Sequence, residues 1–167
     1  MTVREVLTYP HRSLKTVAEP CGRIDSEVVS LAQDLLDTML AHSGCVGLSA
    51  PQIGVSRRVI VVDVTGHPKA SAQHGPLAIV DPVITRQEGH ELGREGCLSL
   101  PQITANVGRA TSIEVAGVSL EGETVCVRTA AFEARAILHE VDHLDGILIL
   151  DRAASPSEVF PRREARR

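Results

Sequence analysis

The sequence predicts an α+β fold in a single domain, with short, mostly antiparallel sheets packed around a helix in the C-terminal half and a second helix near the N-terminus. The strand-like runs cluster mid-chain, with one helical pattern before them and one after, whereas a parallel α/β fold would alternate the two. A length of 167 residues suits one hydrophobic core. Aromatic residues make up only 2% of the chain, so we expect Val, Ile, Leu and Ala to fill that core.

The first predicted helix covers residues 26–42. Its apolar residues recur about every 3.6 positions, as in a helix with one buried face. They are Val28, Leu31, Ala32, Leu35, Met39 and Leu40. Asp25 is placed to cap this helix at its N-terminus, and Gly44 is placed to end it.

Four strand-like runs rich in apolar and β-branched residues follow. They are residues 58–64, 77–84, 112–120 and 124–127. The last two flank a turn at residues 121–123, so we expect a hairpin. Pro82 predicts a bend or a sheet edge in the second run, and the polar residues 67–76 predict a loop before it. The second helix would then start after Thr129, as its cap, and run to about Leu144, before Gly146.

The segment His-Glu-Val-Asp-His at residues 139–143 is the strongest sign of a functional site. Residues four apart on a helix project from one face, with Cβ atoms roughly 6 Å apart, so His139 and His143 can reach one divalent ion. Glu140 is placed to take a proton from a metal-bound water. The same residues also fit a helix whose histidines are only hydrogen-bonded or face solvent.

A third metal ligand would have to come from elsewhere, and Cys97 is the best candidate. One thiolate and two imidazoles around a divalent ion leave one tetrahedral position open, as catalytic sites do and closed structural sites do not. Cysteine is also among the most often buried residue types, so Cys97 could equally be a small core residue. Glu95 and Arg109 would form a charge pair that holds the strand of Cys97.

Composition excludes several other classes of protein. A net charge of −4 and a pI near 6.0 argue against a general nucleic-acid binder, DNA included. No run approaches the ~18 apolar residues of a membrane span. The polar N-terminus does not fit a secretory signal, and the four scattered cysteines indicate no disulfide framework. We therefore expect a cytoplasmic protein without a membrane partner.

Three blocks, in order, resemble the signature motifs of the peptide deformylase family. They are Cys-Val-Gly-Leu-Ser-Ala-Pro-Gln at residues 45–52, Glu-Gly-Cys-Leu-Ser at 95–99 and His-Glu-Val-Asp-His-Leu-Asp-Gly at 139–146. The opening segment, residues 6–10, also looks like the N-terminal strand of that family. The resemblance spans most of residues 5–150.

The resemblance implies a hydrolase of protein biosynthesis that removes the N-formyl group from the N-terminal formylmethionine of newly made polypeptides and releases formate. The cysteine and both histidines would hold the metal, with Fe²⁺ expected in the cell and Zn²⁺ or Ni²⁺ as alternatives, since this donor set suits several ions. Metal-bound hydroxide would attack the formyl carbon, with Glu140 as general base and then acid. The side-chain amide of Gln52 and the backbone N–H of Leu98 would bind the formyl oxygen.

Substrate contacts are less visible in the sequence. Gly47 lies beside the site, where a missing Cβ lets a substrate backbone approach closely. Val46, Phe132 and Ala136 could line an apolar socket for the methionine side chain, or they could be ordinary core.

Three positions depart from the family pattern. Cys45 replaces the usual first Gly of its block, Ser49 replaces Ala, and Leu138 replaces a Gln. Cys45 could narrow the substrate cleft or add an oxidisable thiol, and Leu138 removes an amide that could anchor the helix. Because the proposed ligands, Glu140 and Gln52 are unchanged, we expect an active enzyme.

We expect residues 1–151 to form the deformylase-like catalytic domain and residues 152–167 a polar, basic and solvated C-terminal tail. The tail ends in Arg162, Arg163, Arg166 and Arg167. Their charge would help a weak contact with ribosomal RNA near the nascent-chain exit. Formylmethionyl nascent polypeptides are the other expected partner, and we expect a monomer. Two further functions fit the motifs: an HExxH-type metallopeptidase, and a metal-binding relative that has lost catalysis.

Overall fold

A computed structural model describes residues 2–71 and 73–162, and within them the chain forms three α-helices, three short 3₁₀ helices and eight strands. The α-helices are α1 (Ser26–Ala41), α2 (Ala131–Leu144) and the single turn α3 (Ile149–Arg152). The strands are β1 (Gly47–Ser49), β2 (Val59–Val62), β3 (Leu77–Glu88), β4 (Glu91–Cys97), β5 (Leu100–Arg109), β6 (Ser112–Val118), β7 (Thr124–Ala130) and β8 (Val159–Pro161). The predicted α+β class is confirmed. Within these residues, every helix is too short or too polar to cross a membrane.

The strands form two antiparallel sheets, ordered β1-β2-β3-β6-β7 and β4-β5-β8. All four residues of β2 are buried, and successive side chains of a strand point to opposite faces of its sheet. Val59 and Val61 pack with the apolar face of α1, whereas Ile60 and Val62 pack with α2. The larger sheet therefore lies between the two long helices.

The predicted N-terminal helix and its cap are confirmed. Asp25 Oδ1 accepts hydrogen bonds from the backbone N–H groups of Glu27 (3.1 Å) and Val28 (3.0 Å), which satisfies two N–H groups that have no partner inside the helix. The predicted hairpin is also confirmed, since β6 and β7 pair and turn at Gly122, whose φ is +85°. At Pro82 the chain forms the predicted bend, with a shift in register between Val80 and Val83.

The prediction that Thr129 caps α2 is wrong. Ala130, the last residue of β7, is the N-cap, and its methyl side chain has no acceptor for a capping hydrogen bond. The hydroxyl of Thr129 instead donates to the buried carboxylate of Glu133 at 2.6 Å. The same carboxylate accepts the backbone N–H of His74 at 2.9 Å, so it links the start of α2 to the loop before β3.

The strand that the resemblance implied at residues 6–10 is not formed. Two backbone hydrogen bonds hold this segment, from Leu7 N–H to the carbonyl of Gln52 (2.8 Å) and from Tyr9 N–H to the carbonyl of Ser99 (3.0 Å). The opening segment therefore connects two of the three motif blocks without joining a sheet.

The C-terminal segment differs from the solvated tail that the sequence predicts. Val159–Pro161 form β8, which pairs with β5, so these residues belong to the smaller sheet. The predicted boundary after residue 151 also falls inside α3. The basic residues Arg163, Arg166 and Arg167 lie outside the described residues.

Candidate metal centre

The two histidines of α2 and the cysteine at the end of β4 meet between the two sheets. The Nε2 atoms of His139 and His143 are 3.2 Å apart, and Cys97 Sγ lies 3.2 Å from His143 Nε2. The donor atoms of the three residues all lie within 4.8 Å of one another, close enough to bind one ion. Cys97 is 4% exposed, so its sulfur is buried, as the alternative of a small core residue also expected.

Glu95 fixes the orientation of the His139 ring. His139 Nδ1 donates to Glu95 Oε2 at 2.9 Å, which leaves the lone pair of Nε2 directed toward Cys97 and His143. Burial opposes ionisation of Glu95, but the hydrogen bonds from His139 and Arg109 outweigh it and hold the Glu95 pKa well below its usual range. The carboxylate beside the histidine therefore stays charged at neutral pH.

A buried network of charges holds Glu95 in turn. Arg109 donates to both of its oxygens, with Nε–Oε1 2.9 Å and Nη2–Oε2 3.0 Å, as the sequence predicted for this pair. Arg135 Nη1 donates to Oε1 at 2.9 Å. Arg109 also contacts Asp142 on α2, whose carboxylate accepts from Arg152 as well. These ion pairs thus join β4, β5 and α2 behind the three candidate ligand atoms.

Gln52 presents its amide nitrogen to the same centre. Its Oε1 accepts from the backbone N–H (3.1 Å) and the hydroxyl (2.9 Å) of Ser49, so its Nε2 faces the other way. Nε2 lies 3.2 Å from Ser99 Oγ and 3.6 Å from Cys97 Sγ. Ser49, where the family pattern has Ala, therefore adds a hydrogen bond that orients Gln52.

Glu140 lies fully inside the site, and Gly47 makes room for it. A Cβ on Gly47 would come within 2.7 Å of Glu140 Oε1, so the missing side chain of this glycine leaves the space that Glu140 occupies. Glu140 Oε2 is buried without a hydrogen-bond partner among the described residues. Burial is the largest cause that raises the pKa of Glu140, while the neighbouring histidines oppose the rise. A raised pKa makes the carboxylate a stronger proton acceptor.

A cavity of about 310 Å³ opens onto these groups. Its lining includes all the residues predicted from the sequence to contact the substrate or to bind the formyl oxygen, namely Val46, Gly47, Gln52, Leu98, Phe132 and Ala136. His67 was not foreseen, because residues 67–76 carry only a loop pattern. Its ring stacks on Phe132 with centroids 4.0 Å apart and lines the cavity beside it. Four cationic residues of the cavity were also not connected with the site: Lys69, Arg94, Arg135 and Arg162.

The remaining departures leave the ligand atoms undisturbed. Cys45 Sγ donates to the carbonyl of Gly47 at 3.1 Å, at the wall of the cavity. Burial and then the charge of Glu140 raise the pKa of the Cys45 thiol to about 12, so it stays protonated. Leu138, a residue of α2, is 8% exposed and belongs to the core cluster between α2 and the larger sheet.

Comparisons with known proteins agree with this geometry. Residues 3–159 match the family model for polypeptide deformylase. The chain is 41% identical to a peptide deformylase of Pelotomaculum thermopropionicum over 98% of this chain and all of the relative, and 42% identical to one of Desulforudis audaxviator with the same coverage. Its fold matches the crystal structure of peptide deformylase from Thermotoga maritima with a TM-score of 0.84 at 32% identity, covering 93% of this chain and 100% of that one. Because the family model and full-length relatives match almost the whole chain, it belongs to the polypeptide deformylase family.

Proposed function

We propose that this protein removes the N-formyl group from the N-terminal formylmethionine of newly made polypeptides, releasing formate and a free amine. The observation that carries the proposal is the convergence of Cys97, His139 and His143 beside the buried carboxylate of Glu140, in a cavity open to a peptide. Neither an endopeptidase nor an inactive relative is favoured by any feature of the site, and the relatives at 38–42% identity are named peptide deformylases.

The residues present fit a single divalent ion. A thiol and two imidazole nitrogens converge within 4.8 Å of one another, and Glu95 orients one of the rings. Bound there, the ion would supply Lewis acidity, which polarises a carbonyl oxygen and acidifies water. We propose Fe²⁺ as the ion in the cell, with Zn²⁺ or Ni²⁺ able to replace it, because mixed thiolate and imidazole sites suit all three.

Glu140 would move the proton. As the water oxygen bonds to the formyl carbon, its proton passes to the Glu140 carboxylate. When the bond from carbon to nitrogen breaks, Glu140 delivers that proton to the departing amine, so formate and a free N-terminus result. The raised Glu140 pKa, caused first by burial, supports this role, since it brings the group closer to the operating pH.

Gln52 and Leu98 would stabilise the negative charge that develops on the formyl oxygen. Ser49 holds the Gln52 amide with Nε2 toward the ligand atoms, and Leu98 follows Cys97 directly at the turn after β4. A donor set in place before the reaction costs no reorganisation, and removal of one such donor typically costs about 3 kcal/mol of transition-state stabilisation.

An extended peptide could pair with the strands that border the cavity. β1 and β4 each lie at the end of a sheet in the strand order, and Gly47 and Gly96 of these strands line the cavity. Edge strands offer backbone N–H and C=O groups to an added strand. Val46, Phe132 and Ala136 would take the methionine side chain. One structure of the Acinetobacter baumannii enzyme, 35% identical over 90% of this chain, is described as bound to Met-Ala-Ser.

Formate release tests the proposal. Protein loaded anaerobically with Fe²⁺ should release formate from formyl-Met-Ala-Ser and should not cleave internal bonds of the unformylated peptide. Glu140→Ala should lose activity by about 10²-fold or more, whereas Glu121→Ala, in the exposed β6–β7 turn, should retain it. Internal cleavage would select the metallopeptidase, and equal turnover by both variants would reject Glu140 as the proton carrier.

We propose that residues 1–151 carry the catalytic machinery, since every proposed ligand and catalytic residue lies within them. We also propose that the protein acts as a cytoplasmic monomer and that its basic C-terminus contacts ribosomal RNA weakly. Deletion of residues 163–167 spares β8 and should reduce co-sedimentation with ribosomes at low salt. Unchanged co-sedimentation would exclude this contact.

A further inference from the structure

The outer part of the catalytic cavity carries an excess of positive charge. Three cationic residues line it, Lys69, Arg94 and Arg162. Among the residues that the structure describes, 2–71 and 73–162, no acidic side chain forms an ion pair with any of the three. The two acidic residues that line the same cavity, Glu95 and Glu140, are buried, with 6% and 4% exposure. This local charge opposes the net charge of −4 of the whole chain.

Arg94 is held in place entirely by neutral groups. Its Nε donates to Asn106 Oδ1 at 2.8 Å and its Nη1 to Thr104 Oγ1 at 3.2 Å. The guanidinium carbon lies 3.5 Å from the centroid of the Phe160 ring. A guanidinium that is stacked on an aromatic ring and oriented by neutral acceptors keeps its full charge for an external anion.

Arg162 lies beside Arg94 on the same face of the smaller sheet. Along β4, Glu95 and Cys97 are buried, so the alternate residues Arg94 and Gly96 face outward. The guanidinium of Arg162 fills the space that a Cβ on Gly96 would occupy. β8, which the sequence places in a free tail, thus brings a second cationic group to the cavity.

The position of Arg94 defines which part of a substrate it can meet. It precedes Cys97 by three residues on an extended strand, which corresponds to roughly 10 Å. A peptide that lies along β4 with its formyl group at Cys97 would place its third residue near that distance. We propose that Arg94 and Arg162, which we call the cationic rim, bind an acidic group at the third residue of the substrate, so that the enzyme prefers formyl-Met peptides with Asp or Glu there. This proposal rests on the proposed deformylase function.

Three isosteric or charge-reversed peptides test the preference. We would compare formyl-Met-Ala-Glu-amide, formyl-Met-Ala-Gln-amide and formyl-Met-Ala-Lys-amide, whose blocked C-termini remove the terminal carboxylate. We expect kcat/KM to be about fivefold higher for Glu than for Gln at low salt, as for an exposed ion pair, and lowest for Lys. The Glu preference should fade toward 1 M salt, where the Debye length falls to about 3 Å.

Variants assign the preference to the rim. In Arg94→Gln, the ratio of kcat/KM for the Glu peptide to kcat/KM for the Gln peptide should fall toward one. Arg94→Lys should retain part of this preference, because the positive charge remains without the guanidinium fork. Arg128→Gln makes the same change in net charge on β7, where Arg128 pairs with Glu114 away from the cavity, and should keep the wild-type ratio. A wild-type ratio below two, or a ratio unchanged in Arg94→Gln, would overturn the proposal.

A binding measurement separates this proposal from the proposed function. Calorimetry with the product-like peptides Met-Ala-Glu-amide and Met-Ala-Gln-amide should show the same preference in Kd, and its loss in Arg94→Gln, without any turnover. If no formyl peptide releases formate, the deformylase function itself fails. If Arg94→Gln leaves the peptide preference unchanged and weakens co-sedimentation with ribosomes, the rim serves RNA and the peptide proposal is overturned.

Discussion

Glu95→Gln should destabilise the protein far more than an ordinary surface substitution, even before a metal is bound. The carboxylate accepts four hydrogen bonds, two from Arg109, one from Arg135 and one from His139. Glutamine keeps the shape but removes the charge, and because each oxygen accepts from two donors, its N–H₂ group would face two of these donors. The side chain of Arg109 is 4% exposed, so its charge cannot be compensated by water.

The size of the effect follows from burial. Loss of one partner from a buried ion pair costs about 3–5 kcal/mol, and the contact of Arg109 with Asp142 remains, so we expect the lower end, about 3 kcal/mol. For a protein of this size each kcal/mol shifts Tm by about 2–4 °C, which gives a decrease of about 6–12 °C. Calorimetry on EDTA-treated protein would measure this shift without a contribution from metal.

Glu88→Gln is the matched control. Glu88 pairs with Arg86, but their side chains are 56% and 68% exposed, so loss of that pair should cost less than about 1 kcal/mol. Because Glu95 also orients His139, metal affinity should fall by about 10–100-fold in Glu95→Gln and stay unchanged in the control. If both variants melt within 2 °C of the wild type, the buried network does not contribute the stability assigned to it here.

Three further predictions concern pH, reactivity and turnover. The pKa of Glu95 in the folded state lies below its ordinary value of 4.5, so the ionised side chain contributes its full stability above pH 4.5, and this stability is lost as the pH falls toward the lower folded value. The difference in Tm between wild type and Glu95→Gln, measured by calorimetry, should therefore narrow below about pH 4.5. A constant difference down to pH 3 would contradict this. The thiol of Cys45 has a pKa of about 12, against an ordinary 9.0, so at pH 8 it should react with iodoacetamide roughly a thousandfold more slowly than a free thiol. Peptide mass spectrometry would follow the reaction, and the rate of a free thiol would show that Cys45 is not buried. Ser49→Ala removes one of the two hydrogen bonds to Gln52 Oε1, so kcat should fall about two- to tenfold with little change in KM. An unchanged kcat would show that the backbone N–H of residue 49 orients the Gln52 amide by itself.

The elements that the sequence predicted are those with a simple apolar period. α1 carries one buried face, and the β6–β7 hairpin alternates around a Gly turn, so local pattern and tertiary packing agree in these elements. α2 differs, because its C-terminal half is buried on nearly every side and includes Glu140, Asp142 and His143. The spacing of His139 and His143 alone placed both rings on one face of α2. Cys97 could be added from donor chemistry and family motifs, but its approach to the histidines depends on the fold.

A strand at Cys97 and the Glu95–Arg109 pair were predicted, but the hairpin of β4 and β5 was not, because the buried charges interrupt the apolar alternation of its strands. The inward position between Gly93 and Cys97 is Glu95, which reads as a solvent-facing residue in sequence. Its charge is neutralised by Arg109 from the neighbouring strand, so the buried face of the hairpin contains charged residues. β8 was missed for a similar reason, since Phe160 packs under the Arg94 guanidinium and charged residues, Glu158 and Arg162, stand on either side of the strand.

The same buried charges tie metal binding to folding. The ligand atoms come from β4 and α2, which are far apart in sequence, and Glu95 with Arg109 holds those two elements in register. The unfolded chain does not hold these atoms in place, so an ion would bind the folded state far more tightly. At 100 times its Kd, such an ion would add about 2.7 kcal/mol of stability, close to the about 3 kcal/mol expected from Glu95. Loss of Glu95 should therefore weaken the protein twice, once through the uncompensated Arg109 and once through the ion that it no longer holds well.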